Sequence, residues 1–240
     1  MSSFKLIGVK DKQELALNAS KFISKEISDV LSKQDRFRIA LCGGSTPSLT
    51  YKYLSDHFFD WQKLDIFLGD ERWVDLDDDL SNAKMVKSTL LSSKQSKEAI
   101  FHEIETTAFE SPEEGSLSYS LKIKSIFQSE SPVFDLILLG LGDDGHTASL
   151  FPFTPSLEVR SSLTTVSFGL NMKRITLTAP VLSAAKKVVF LVSGTSKRLA
   201  LSRLFDSTES SDRTPAKLVK TSSPIIIFAD QDASGIIKNV

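Results

Sequence analysis

The sequence predicts a single α/β domain over residues 1–240, with a mostly parallel, Rossmann-like sheet that carries helices on both faces. Hydrophobic residues make up 41% of the chain, which is enough for a sizeable core at this length. Short apolar runs rich in Ile, Leu, Val and Phe alternate with helical patterns, and such runs are typical of buried parallel strands. The runs span residues 38–41, 64–68, 134–139, 188–192 and 225–228.

The first helical pattern covers residues 11–31, where Asp11 followed by Glu14 resembles a capping box. Two polar segments, residues 105–116 and 206–214, lack apolar periodicity, and we predict that both are mobile surface loops. The apolar residues of the first helix recur at helical spacing and predict its packing face: Leu15, Ala19, Phe22, Ile23, Ile27, Val30 and Leu31.

Composition excludes several classes of function. The chain has 29 Lys and Arg against 30 Asp and Glu, so no global field favours a nucleic acid or an anionic membrane as partner. The N-terminus lacks the apolar region of a secretory signal, and no run approaches the ~20 apolar residues of a membrane span, which predicts a cytoplasmic protein. The single cysteine, Cys42, excludes an intramolecular disulfide and a Cys-rich metal site. The acidic run at residues 77–79 does not fit the spacing of an EF-hand and no other ligand cluster accompanies it, so we interpret it as a solvated acidic loop.

Unusual residues cluster immediately after four of the predicted strands. These segments are residues 43–47, 69–72, 140–146 and 193–197. The carboxyl ends of parallel strands lie on one edge of a sheet, and ligands bind in the crevice outside them. We therefore expect the four segments to line one pocket.

The first of these segments is a glycine-rich turn between a strand and a helix. Such a turn directs backbone N–H groups and the positive helix end toward an anion, and the hydroxyls of Ser45 and Thr46 add donors to Gly43 and Gly44. Phosphate is the natural ligand. An ordinary βα turn, with Ser45 or Thr46 as helix cap, is the alternative. No Gly-Lys-Ser/Thr follows, so the segment is not a nucleoside triphosphate loop.

The third segment matches the dinucleotide pattern G-x-G-x-x-G at residues 140–145. We reject that function because the segment lies in the middle of the chain, and because Asp143 and Asp144 would repel a pyrophosphate. The segment ends in His146, at the expected ligand edge and two residues from Asp144. This context favours a catalytic histidine with an orienting carboxylate. Arg72 and Lys197 bring two cations to the same edge, where a phosphate would gain charge-assisted hydrogen bonds.

With these motifs the chain resembles the glucosamine-6-phosphate isomerase/6-phosphogluconolactonase family. The resemblance implies a deaminase/ribose-5-phosphate-isomerase-like fold and hydrolysis of 6-phospho-D-glucono-1,5-lactone to 6-phosphogluconate in the oxidative pentose phosphate pathway. It also implies a small sugar-phosphate lactone as the binding partner and no metal or organic cofactor; we expect a monomer or a weak homo-oligomer. The motifs that carry it are Gly43-Gly44-Ser45-Thr46-Pro47, Gly69-Asp70-Glu71-Arg72-Trp73-Val74, Ser81-Asn82, residues 140–152, Arg174-Ile175-Thr176-Leu177-Thr178, and Gly194 with Lys197.

The resemblance also implies roles for the site residues. Arg72 and Lys197 hold the phosphate together with the glycine-rich turn, while Asn82 and Arg174 line the sugar. His146 is the candidate general base that takes a proton from the attacking water, since a histidine ordinarily titrates at about 6.5. Backbone amides between Gly142 and Gly145 are the expected donors to the oxyanion.

The chain departs from the family pattern at four positions. Asp75, Ala83, Asp143 and Phe153 stand where the family usually has proline, tyrosine, proline and glycine. Asp143 adds negative charge near the site, which either weakens substrate affinity or helps to orient His146.

Two other functions remain open. An isomerase or deaminase of 6-phosphosugars would use the same phosphate loop with Asp70 or Glu71 as the acid/base carboxylate. A non-catalytic sugar-phosphate sensor of a transcriptional regulator ranks last, because only one helix precedes the first predicted strand and no helix-turn-helix module fits there.

Overall fold

The computed structural model describes residues 3–235, which form a seven-stranded parallel sheet, a three-stranded antiparallel sheet and surrounding helices. The strands are β1 (Phe4–Val9), β2 (Phe37–Leu41), β3 (Leu64–Leu68), β4 (Asp70–Arg72), β5 (Ile100–His102), β6 (Leu136–Gly140), β7 (Thr164–Gly169), β8 (Met172–Leu177), β9 (Val188–Val192) and β10 (Ile225–Asp230). The α-helices are α1 (Lys12–Leu31), α2 (Ser45–Leu54), α3 (Asn82–Thr89), α4 (Pro112–Phe127), α5 (Ala179–Ala184), α6 (Arg198–Phe205) and α7 (Gln231–Ser234).

The large sheet has the strand order β1-β10-β9-β6-β2-β3-β5, and all neighbouring strands in it are parallel. Every residue of β3 and β9 is buried. Consecutive residues of a strand point to opposite faces, so helices and loops cover both faces of this sheet. The predicted Rossmann-like architecture is confirmed.

All five apolar runs form strands of the large sheet: β2, β3, β6, β9 and β10. The strand predicted over residues 134–139 begins two residues later than predicted, at Leu136. Strands β1 and β5, which lie at the two edges of the sheet, were not predicted. Edge strands are only partly buried and lack the continuous apolar run of a central strand.

Helix α1 begins as predicted, with Asp11 as its N-cap. The Asp11 side chain accepts a hydrogen bond from the Glu14 backbone amide at 2.9 Å. The return bond of a capping box is shifted by one residue, because the Glu14 carboxylate accepts from the backbone amide of Lys10 at 2.7 Å.

The prediction of a loop over residues 105–116 is wrong at its end, because α4 starts at Pro112. Ser111 caps this helix through the Glu114 backbone amide at 3.3 Å. The first turn is polar and shows no periodicity, but a serine cap, a proline and two acidic residues are strong helix-start signals. Residues 206–214 contain no helix or strand, as predicted.

The small sheet has the order β4-β8-β7, is antiparallel, and was not predicted. A single residue, Gly69, separates β3 of the large sheet from β4 of the small one. The Gly69 amide donates to the Leu41 carbonyl, and the Gly69 carbonyl accepts from the Leu177 amide, both at 2.8 Å. Gly69 therefore joins the two sheets through the backbone.

Among residues 3–235, no helix combines the length and the apolar composition needed to cross a bilayer. Over the same residues, the structure contains no group of three or more His, Cys, Asp or Glu side chains placed to hold a metal ion.

Candidate active site

A cleft of about 190 Å³ opens at the carboxyl edge of the large sheet. Its walls come from the segments that follow β2, β3, β6 and β9, with side chains added by β4, β8 and α3. The four segments that the sequence placed at one edge therefore meet. The lining residues are Cys42, Gly43, Gly44, Asp70, Arg72, Asn82, Gly140, Leu141, Gly142, His146, Ala148, Arg174 and Lys197.

The structure brings most of the predicted site residues into this lining. Those that line the cleft are Gly43, Gly44, Arg72, Asn82, Gly142, His146, Arg174 and Lys197. Four others lie in the same segments without lining it, namely Ser45, Thr46, Asp144 and Gly145.

Arg72 and Arg174 are direct cross-strand neighbours in the β4–β8 ladder. Arg174 is 5% exposed, and the nearest carboxylate, that of Asp70, lies 4.0 Å from its guanidinium. Burial lowers the pKa of Arg174, Asp70 raises it and the charge of Arg72 lowers it further, although an arginine stays charged at this site. Two adjacent guanidinium groups without a bonded carboxylate form a local positive field in the cleft.

The Arg72 guanidinium donates to the backbone carbonyl of Leu80. Its buried Nε has no hydrogen-bond partner among the described residues. A buried donor without a partner costs stability. Arg72 as a residue lines the cleft, so its guanidinium group lies where an anion in the cleft would bind.

Glu71 holds the backbone around Arg72. Its carboxylate accepts hydrogen bonds from the amides of Arg72 and Asn82 at 2.8 Å and from the amide of Ala83 at 2.7 Å. Burial raises the pKa of Glu71, while these amides oppose that shift. Glu71 is buried and does not line the cleft, so it supports the site from behind the lining residues.

His146 and Asp144 form a hydrogen-bonded pair in the segment after β6. The Nδ1 atom of His146 lies 2.6 Å from Oδ1 of Asp144, and the same oxygen accepts the His146 backbone amide at 3.0 Å. Burial raises the pKa of the Asp144 carboxyl, but its hydrogen bonds from His146 outweigh burial and hold that pKa below the ordinary value. The ionised carboxylate fixes the proton on Nδ1 and leaves Nε2 as the basic nitrogen.

Two neighbours orient the His146 ring. A Cβ at Gly142 would lie 2.0 Å from Nδ1 of His146, so only glycine leaves room for the imidazole. The His146 ring also packs against the Phe151 ring, and the two ring centroids are 4.4 Å apart. Phe151 also lies beneath the Arg174 guanidinium, 5.2 Å from its ring centroid. Phe151 therefore contacts both the histidine and one of the cations.

The prediction that backbone amides of this loop donate to the oxyanion is wrong for two of them, those of Gly142 and Gly145. The Gly142 amide donates to the His146 carbonyl at 2.8 Å, and the Gly145 amide donates to the Gly142 carbonyl at 3.0 Å. These bonds close the loop on itself, so neither amide is available to a substrate. Gly145 packs against Thr214, where a Cβ would lie 3.0 Å from the Thr214 Cα.

The glycine-rich turn enters α2 with Gly44 as its N-cap and without a side-chain cap, so neither Ser45 nor Thr46 is the cap. A Cβ at Gly43 would lie 2.0 Å from the Asn82 side-chain oxygen, which shows how closely α3 approaches this turn. The side-chain amide of Asn82 donates to the backbone carbonyl of Asp70 at 2.9 Å. Asn82 thus joins the turn to β4.

Comparison with known proteins decides the family. The family described as "Glucosamine-6-phosphate isomerases/6-phosphogluconolactonase" matches residues 10–227. The chain belongs to this family. It is 38% identical to the 6-phosphogluconolactonase of Synechocystis sp. over 226 residues, which cover 93% of this chain and 94% of the relative. It is 34% identical to the Nostoc sp. 6-phosphogluconolactonase with the same coverage.

A solved structure of 6-phosphogluconolactonase from Trypanosoma brucei superposes with a TM-score of 0.89 at 26% identity, covering 99% of this chain and 100% of that one. The predicted fold class and the resemblance stated from the motifs are both confirmed.

Three residues at or beside the cleft were not among the predicted site residues. Lys12, at the start of α1, donates to the Ser45 hydroxyl at 2.8 Å and brings a further cation next to the glycine-rich turn. Asp70 lines the cleft and accepts the Ser149 hydroxyl at 2.6 Å. Cys42 also lines it, but burial raises the pKa of its thiol to about 12, so it is not a nucleophile. Lys12 and Ser45 are 33 residues apart in the sequence, so no local sequence pattern predicts their contact.

Proposed function

We propose that this protein hydrolyses 6-phospho-D-glucono-1,5-lactone to 6-phosphogluconate, with a water molecule activated by His146. The observation that carries the proposal is that His146, hydrogen-bonded to Asp144, lines the same cleft as three cationic side chains, Arg72, Arg174 and Lys197. Lactone hydrolysis needs both parts, because one activates water and the other grips a distant phosphate. The names of the relatives described above agree with this substrate.

The phosphate end of the substrate is assigned to Arg72, Lys197 and the turn at Gly43 and Gly44. Charge-assisted hydrogen bonds to a phosphate are about twice as strong as neutral ones. The start of α2 adds the positive end of a helix dipole. Asn82 and Arg174 lie nearer the buried side of the cleft, at 2% and 5% exposure, and we assign them to the sugar.

The hydrolytic step is assigned to His146. Its Nε2 takes a proton from a water molecule while the water oxygen forms a bond to the lactone carbonyl carbon. The bond between that carbon and the ring oxygen then breaks, and the imidazolium returns the proton to the departing ring oxygen. Asp144 stabilises the transient imidazolium and keeps the ring in one orientation.

A phosphosugar isomerase or deaminase is the second candidate, and one observation favours it. Of the two carboxylates considered for that chemistry, Asp70 lines the cleft while Glu71 does not. Asp70 could therefore shuttle a proton between sugar carbons.

One experiment separates the two candidates. Fresh 6-phosphogluconolactone is added to the protein in a pH-stat, and acid release is followed against the spontaneous rate without protein. We expect release well above that background and no ammonia from glucosamine 6-phosphate in a parallel assay. Ammonia release without lactone hydrolysis would replace the proposal by the second candidate.

A further inference from the structure

Asp143 forms a hydrogen-bonded ion pair with Lys197, one of the three cations of the cleft. Oδ1 of Asp143 lies 2.5 Å from the Lys197 Nζ and also accepts the Ser196 hydroxyl at 3.1 Å. The pair connects the segment after β6 to the segment after β9 at the mouth of the cleft. The Asp143 side chain is 61% exposed and Lys197 is 27% exposed, so the carboxylate is on the solvent side.

The other two cations of the cleft have no such partner within the described part of the chain. Arg72 donates to a neutral carbonyl, and the nearest carboxylate to Arg174 is 4.0 Å away. Lys197 is therefore the one cation of the three whose charge is already balanced by a bonded carboxylate.

Asp143 can leave Lys197 without disturbing the catalytic pair. The loop that carries it is closed by its own hydrogen bonds, from Gly142 to His146 and from Gly145 to Gly142. An exposed carboxylate on such a loop needs only a side-chain rotation to reach water. The Lys197 hydrogen bond holds the pKa of Asp143 below its ordinary value, so the carboxylate is charged in the free protein.

We infer that Asp143 is an internal counter-ion of Lys197 that an incoming phosphate group displaces, and that this exchange sets the affinity of the cleft for anions. A phosphate carries about −1.5 to −2 charges near neutral pH, so it outcompetes a single carboxylate for the ammonium but is repelled while that carboxylate stays in place. The inference rests on the proposed function in taking Lys197 as a phosphate ligand. It also implies that Asp143 returns to Lys197 as the product leaves.

The test measures binding of inorganic phosphate by isothermal titration calorimetry at constant ionic strength, and it needs no turnover. We expect Asp143→Asn to lower the phosphate Kd about 2- to 5-fold, the range for exposed ion pairs. Asp143→Ala should also lower the phosphate Kd. In a Lys197→Ala background, Asp143→Asn should leave the Kd unchanged, because the competition for the ammonium no longer exists.

Asp29→Asn is the matched control, since it removes another exposed carboxylate, which pairs with Lys25 on α1 and does not line the cleft. Its phosphate Kd should equal that of the wild type. A Kd that rises in Asp143→Asn would mean that Asp143 positions Lys197 and would overturn the inference. An unchanged Kd, a decrease that persists without Lys197, or no phosphate binding by the wild type would also overturn it.

The lactone assay described above reports separately on the proposed function. If the protein does not hydrolyse the lactone but the variants show the expected pattern of phosphate Kd values, the counter-ion inference stands and the proposed reaction is rejected. If the protein hydrolyses the lactone but Asp143→Asn does not bind phosphate more tightly, the proposed reaction stands and the counter-ion inference is rejected.

Discussion

The backbone amide of Asn82 donates a hydrogen bond of 2.8 Å to the carboxylate of Glu71, so the first residue of α3 is tied to the strand that carries Arg72. The same carboxylate accepts two more amides, those of Arg72 and Ala83. An ionised carboxylate at a helix N-terminus satisfies amides that have no partner within the helix. Glu71 therefore fixes two cleft residues from outside the cleft.

Glu71→Gln should lower the free energy of unfolding by about 2–4 kcal/mol, because one acceptor oxygen becomes an amide donor that faces a buried backbone amide. We expect kcat/KM on the lactone to fall as well, since Arg72 and Asn82 lose their anchor. Urea denaturation and steady-state kinetics measure the two effects. Glu98→Gln, at an exposed position, is the control. Wild-type stability in Glu71→Gln would show that the carboxylate charge is not needed.

His146→Ala should reduce lactone turnover by roughly 10²–10⁴-fold, the usual contribution of a positioned general base. The product should still bind, because the cations that hold its phosphate are intact. Rates must be corrected for spontaneous hydrolysis. His57→Ala serves as the control, since His57 is not among the residues that line the cleft. Undiminished turnover in His146→Ala would assign the histidine a structural role.

Asp144→Asn should lower kcat by about 10- to 10⁴-fold while changing KM little, because the amide no longer stabilises the imidazolium or selects the Nδ1 proton. The pKa of Asp144 is held below its ordinary value, so the wild-type carboxylate stays charged down to acidic pH and does not itself limit the rate near neutrality. A pH–rate profile of both proteins measures this. A kcat equal to that of the wild type would separate Asp144 from catalysis.

Arg72→Ala should reduce kcat/KM for the phosphorylated lactone by roughly 10- to 150-fold, the value of hydrogen bonds to a charged group. Lys197→Ala should reduce it less, because the phosphate must first displace Asp143 from that lysine. Unphosphorylated gluconolactone makes neither contact, so its slow hydrolysis should hardly change. The ratio of kcat/KM for the two substrates is the quantity to compare. A ratio that neither substitution alters would remove both residues from the phosphate site.

Acid should weaken the fold through Asp65, a buried carboxylate on β3. It accepts hydrogen bonds from Arg36 at 2.5 and 3.0 Å and lies 2.9 Å from the His102 Nε2. Burial raises its pKa, but the bonds from His102 and Arg36 hold that pKa below the ordinary value. Because the folded pKa is the lower one, the carboxylate stabilises the fold above about pH 4, and this contribution is lost as pH falls through the folded pKa.

Asp65→Asn should therefore cost about 3 kcal/mol of unfolding free energy at pH 7, and the difference from the wild type should shrink toward pH 3. Urea denaturation at a series of pH values measures it. Asp60→Asn, where an exposed carboxylate pairs with Lys63 at 3.3 Å, should change little at any pH. A constant difference between Asp65→Asn and wild type across this range would contradict the assignment.

The sequence revealed the central strands because a strand covered on both faces is apolar at every position, as in β3 and β9. It did not reveal β4, which reads Asp-Glu-Arg and has no apolar signature. That strand exists because it pairs with β8, about a hundred residues later. Propensity and periodicity are local, so they cannot report a pairing of this range.

The same limit explains the site. The positions after strand ends placed Arg72, His146 and Lys197 at one edge without any knowledge of contacts, because parallel strands share that edge. The partners of these residues were not predictable in the same way. Asp143 pairs with a lysine 54 residues away, and its effect was left open between affinity and the orientation of His146. The structure shows it bonded to Lys197.

The single residue between β3 and β4 limits how this protein can be altered. Gly69 bonds to both sheets, so adding or removing one residue there would reverse the face on which every β4 side chain lies. The Arg72 guanidinium would then turn away from Arg174, its neighbour in the ladder. Substrate preference should therefore be easier to redesign by exchanging side chains on β4 and β8 than by changing the length of the link between the two sheets.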